Sequence, residues 1–156
     1  MKTYPENSPE SMAQLLTALM AADERIDDAE VEALSILDAY ARIGIRPPAF
    51  ADVLRDYFAG TDAGCALDRV DRISARITDA RARAVLWEVM AGLAGADDEV
   101  VDAERAFLAR VASVWWDGVL PARLAMPGSP ELPSLPESLL QARGDGRQQL
   151  RSAPAN

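Results

Sequence analysis

The residues with the clearest chemical potential are carboxylates, gathered in two short stretches of the chain. The first is Ala22-Asp23-Glu24-Arg25-Ile26-Asp27-Asp28-Ala29-Glu30 and the second is Ala96-Asp97-Asp98-Glu99-Val100-Val101-Asp102-Ala103-Glu104. A shift of 74 positions carries Asp23, Asp28 and Glu30 onto Asp97, Asp102 and Glu104. Carboxylate oxygens are hard ligands, and Ca²⁺ or Mg²⁺ takes six or more oxygens from Asp, Glu, backbone carbonyls and water. Ile26 and Val100 are the apolar residues that would anchor each loop to a core, with Asp23 facing Glu30 and Asp97 facing Glu104. Each pair makes a feasible cation site. Neither stretch is an EF-hand, because ligands at positions 1, 3 and 5, Gly at 6 and Glu at 12 are missing.

A second reading needs no ion. Acids in the first turn of a helix stabilise it by about 0.3–1 kcal/mol each through the macrodipole, and a good N-cap contributes about 1 kcal/mol. Asp27 followed by Glu30 has the spacing of a capping box. Val101, at the equivalent place in the second stretch, is a poor N-cap, so capping explains that stretch less well. Ion binding and helix capping both remain open on the residues alone.

Other chemistries are narrower. The chain has no histidine and a single cysteine, Cys65. That removes the usual four-ligand zinc sites and every Ser-His or Cys-His catalytic arrangement. It also removes an internal disulfide. Paired carboxylates can perform acid/base work only in a pocket that separates their pKa values, which a sequence does not display, so we expect a non-enzymatic protein. A net charge of −9 opposes binding to duplex nucleic acid, which needs a clustered basic surface. Arg69, Arg72, Arg76, Arg81 and Arg83 read as a solvated basic face, and Trp115-Trp116 as one core and one half-exposed ring.

The elements that must position the acids are helices. At 156 residues the chain suits one domain with a sizeable core. Ser8 with Pro9 has the form of a helix start, and Met12, Leu15, Leu16, Leu19 and Met20 follow at helical spacing. That spacing, with Glu6 and Glu10 before it, predicts a folded helix rather than a signal peptide. A second helix from the first acidic stretch turns Val31, Leu34, Leu37 and Tyr40 inward and stops at Gly44. A third, Pro48 to about Ala59, carries Phe50, Val53, Leu54, Tyr57 and Phe58 on one side. A fourth, Cys65 to about Ile77, carries Leu67, Val70, Ile73 and Ile77. A fifth is capped by Thr78 or Asp79 and buries Leu86, Val89, Met90, Leu93 and part of Trp87. The sixth, from about Asp102 to Trp116, uses Phe107, Leu108, Val111 and Trp115.

No sustained period-2 alternation of a strand occurs, so the expected class is all-α: a compact bundle of about six helices with two pseudo-repeated helix-loop-helix corners. The domain is expected over residues 1–118, with a proline-rich tail over 119–156, mobile or packed back on it. Six of the ten prolines lie in that tail. No run approaches the roughly 18 apolar residues of a membrane span.

The duplicated pattern, Ala-Asp, a turn, an aliphatic residue and an acid-rich helix start with Glu, resembles that of the tellurite-resistance TerB-like family over roughly Met12 to Trp116. The resemblance implies a helical bundle of two pseudo-repeated halves whose acidic clusters bind a divalent cation, with Asp23, Asp28, Glu30, Asp97, Asp102 and Glu104 as the implied metal-site residues and Asp27 and Asp98 as helpers. It also implies a cytoplasmic protein of stress or metal responses, working with a protein partner, with peripheral association at the inner membrane face. A different use implied by the same resemblance is a co-chaperone-like or membrane-face adaptor in which the acids are only caps. Family members usually place Gly after the first Asp, where this chain has Glu24 and Asp98. A left-handed backbone there would cost a non-Gly residue about 1–2 kcal/mol, and Asp tolerates it better than Glu, so the second corner is the better fit to an ion.

Overall fold

A computed structural model describes residues 2–22, 28–60, 66–95 and 102–117. Seven helices are found among them: α1 (Pro9–Met20), α2 (Asp28–Ile36), α3 (Ala39–Ile43), α4 (Pro47–Ala59), α5 (Ala66–Ser74), α6 (Ala80–Ala94) and α7 (Asp102–Trp116). The described residues contain no strand, so the described domain is all-α, as expected.

Helix α1 is the centre of the bundle. It packs along α4 and α5 and also meets α3, α6 and α7. Every residue from Ser11 to Met20 is buried, which a single apolar stripe does not explain. The cause is an uncharged run from Ser11 to Ala22, in which small Ser11, Ala13 and Ala18 let neighbours approach the faces that the leucines leave. Its start is the predicted one: Ser8 Oγ accepts from Ser11 N–H at 3.1 Å, and Pro9 occupies the first turn.

The expected second helix is divided. After α2 the chain turns at Leu37-Asp38, with Asp38 in the left-handed region at φ 50°, and α3 follows to a left-handed Gly44 at φ 75°. Both α2 and α3 lie on α6. The turn alters the inward face: Ala33 and Leu34 are buried, whereas Val31 is 49% exposed. In α4, Phe50, Val53 and Tyr57 enter the core, but Phe58 is 52% exposed because Tyr57 beside it takes the inward place in the last turn.

Helices α5 and α7 form the other main pair. Asp71 receives both Nε and Nη2 of Arg110 across it, the first at 2.6 Å. Trp115 fills the seam, its indole N–H donating to the Ser74 carbonyl at 2.9 Å. Trp116 is partly buried and meets Trp115 and Trp87 edge to face. Trp87 is buried almost completely rather than on one side. Among the described residues no helix is long and apolar enough to cross a membrane. Cys65 and the proline-rich segment lie outside the described residues.

Candidate functional site

The sequence duplication has a structural counterpart. The shift of 74 carries Met20, the last residue of α1, onto Ala94, the last of α6, and Asp28, the first of α2, onto Asp102, the first of α7. Two connections of equal length, 21–27 and 95–101, thus join helices with matching ends. The cores match as well: buried Met12, Leu15, Leu16, Leu19 and Met20 fall on buried Leu86, Val89, Met90, Leu93 and Ala94. Helices α1 and α6 also touch one another. The acidic stretches are therefore equivalent connections in a duplicated arrangement.

Four of the candidate ligands fall within this frame. Asp28 and Glu30 lie in the first turn of α2, as Asp102 and Glu104 do in α7. Asp23, Asp27, Asp97 and Asp98 lie outside the described residues. Asp102 is 98% exposed and accepts from Arg105 Nη1 at 2.7 Å, one helical turn on. Glu104 is half-buried and also engaged. Among the described residues alone, no three metal-ligating side chains converge. The structure therefore sets acids at the mouths of both connections.

Several polar groups escaped the sequence reading because their partners are far away in the chain. Lys2 Nζ and Tyr4 Oη both donate to Asp56 Oδ2 at 2.8 Å. The Lys2 and Tyr4 hydrogen bonds hold the Asp56 carboxyl below the usual carboxylate range. Burial, followed by the hydrogen bond to Asp56 and its charge, pushes the Tyr4 phenol well above its ordinary value. Neither group is poised near neutral pH, so the cluster is a fixed ionic contact rather than a proton-transfer pair. An open cavity of about 380 Å³ lies beside it, lined by Lys2, Tyr4, Pro5, Glu10, Ala49 and Asp52.

The arginines expected to form a solvated face are partly internal. Arg76 Nε donates to the Tyr4 carbonyl at 2.8 Å, and Arg83 Nε to the Ile77 carbonyl at 2.6 Å. The Arg69 guanidinium lies 5.2 Å from the Tyr57 ring centroid. Arg72 and Arg81 are exposed, as expected of such a face. Arginine suits these internal positions because its planar fork keeps its charge while binding carbonyls or lying on aromatic rings.

An all-helical domain with a duplicated acid-rich helix-loop-helix is the class that this geometry defines. The family model described as TerB, tellurite resistance protein TerB, matches residues 10–115, so the chain belongs to the TerB family, a family associated with tellurite resistance. No curated protein and no solved structure matches the chain. The matched span opens at the start of α1 and closes one residue before the end of α7, taking in both acidic connections.

Proposed function

We propose that this TerB-family protein is a non-enzymatic, cytoplasmic binder of divalent cations, Ca²⁺ or Mg²⁺, with one site at each acidic corner. The observation that carries the reading is the exact repeat of helix ends around two acid-rich connections of equal length. Helix capping accounts for the acids at the helix starts but needs a second role, the capping of loop N–H groups, for Asp23 and Asp97; one ion at each corner accounts for all of them together. In this reading Asp23, Asp28 and Glu30 serve one ion, and Asp97, Asp102 and Glu104 the other, with Asp98 assisting.

An ion would relieve repulsion among these carboxylates and fix the angle between the adjoining helices. Binding of a ligand only by the folded state raises stability by mass action, by about 2.7 kcal/mol at a hundredfold excess over Kd. Family membership supports tellurite-linked stress as the setting, and the proposal adds a protein partner that senses the loaded corners. The test is thermal melting of metal-free protein with and without millimolar Ca²⁺, Mg²⁺ or Mn²⁺. A rise in Tm with at least one ion is expected; an unchanged Tm with all three would defeat the proposal.

A further inference from the structure

The two helices that run into the acidic corners start from a common point. Asn7 directly precedes Ser8, the N-cap of α1. Its Oδ1 accepts from the backbone N–H of Thr78 at 2.7 Å and of Asp79 at 2.9 Å, and Asp79 is the N-cap of α6. Its Nδ2 donates to Thr78 Oγ1 at 2.9 Å, while its own N–H donates to the Arg76 carbonyl at 3.1 Å. Asn7 takes up this position with φ at 54°, a left-handed backbone that Asn adopts more readily than most residues. Arg76, in turn, holds the Tyr4 carbonyl, and Gln14 of α1 donates to the Lys2 carbonyl at 3.0 Å. The segment from Lys2 to Ser8 is thus stitched to α1, α4, the end of α5 and the start of α6.

We infer that Asn7 is a positioning residue for both corners: by tying the start of α1 to the start of α6 it sets where the far ends of these equivalent helices lie. The leverage is geometric. Helix α1 has 12 residues, which at 1.5 Å per residue is about 18 Å. A tilt of about 5° at the tie would move its far end by about 1.5 Å, against a Ca²⁺–oxygen window of about 2.3–2.6 Å. The consequence for ion binding rests on the proposed cation function, whereas the positioning itself can be read without any ion.

The experiment compares amide hydrogen exchange of the full chain with that of Asn7→Gly, Asn7→Asp and Asp79→Ala. Gly accepts the left-handed backbone but removes the side-chain bonds; Asp keeps the acceptor; Asp79→Ala weakens the α6 cap without touching α1. Expected is at least a threefold faster exchange in Asn7→Gly at the last turns of α1 and α6 together, with Asn7→Asp close to the parent and Asp79→Ala affecting α6 alone. Changes in Asn7→Gly confined to residues near the tie, or the same two-helix pattern in Asp79→Ala, would overturn the inference. Titration of the same proteins with Ca²⁺ separates the two proposals. Absence of binding by the parent removes the cation reading and leaves the exchange result to decide the role of Asn7. Binding by the parent that weakens severalfold in Asn7→Gly and recovers in Asn7→Asp supports both.

Discussion

Leu37 occupies the space that a side chain on Gly92 would need. A β-carbon at Gly92 would lie 2.8 Å from Leu37 Cδ2 and 2.9 Å from Cδ1. The absence of a side chain on α6 therefore lets the α2–α3 turn approach, and α2 and α3 both lie against that helix. This close approach belongs to the first half of the duplication meeting the second. We expect Gly92→Val to destabilise the fold by about 1–3 kcal/mol, the usual range for overpacking. Leu37→Ala in the same chain should recover part of that loss, because it vacates the contested volume. Urea denaturation of the two single variants and the double variant measures it, and simple additivity would show that the two residues do not compete.

Stability should fall at both pH extremes through Asp56 and the buried Tyr4 phenol that donates to it. The Asp56 carboxyl is held low by Lys2 and Tyr4, so its contribution is present above the unfolded carboxylate pKa of about 3.9 and is lost as pH falls through the folded value. The Tyr4 phenol is raised, so its contribution is complete below the unfolded value of about 10 and is lost as pH rises beyond that. Denaturation midpoints measured against pH should show a flatter acid limb in Asp56→Asn and a flatter alkaline limb in Tyr4→Phe. Unchanged limbs would mean that the contact does not persist in solution.

If Asp102 serves an ion as proposed, Arg105 would compete with that ion for it. The pair is an exposed contact one turn apart, at 2.7 Å, and such pairs contribute little to stability, about 0–1 kcal/mol. Arg105→Gln should therefore leave the melting temperature of the metal-free protein nearly unchanged while tightening Ca²⁺ binding severalfold. Weaker binding in this variant would argue that Asp102 is not a ligand.

Much of the fold is local chemistry and was legible for that reason. Ser8-Pro9, Asp79 and Gly44 declare helix ends through their own side chains or backbone, and each acts where the sequence places it. The break at Leu37-Asp38 was not legible, because no Gly or Pro marks it and its close contact with Gly92 is tertiary. The all-round burial of α1 does carry a signal, the uncharged run from Ser11 to Ala22, which the single stripe of large apolar residues does not express. Of the candidate site, the duplication was visible and the helix ends repeat it. The spacing of Asp102 and Arg105 could have announced their pairing. Asn7 could not have been found in this way, since its side-chain partners lie 71 and 72 positions along the chain.

Cation binding by the corners is decided by calorimetric titration of metal-free protein with Ca²⁺, run on the parent chain and on the double variant Asp97→Asn, Glu104→Gln. Saturable binding heat is expected in the parent, with loss of the second-corner component in the variant and a helical far-UV spectrum retained. No heat at millimolar Ca²⁺ in the parent, or identical isotherms for the two proteins, would contradict it.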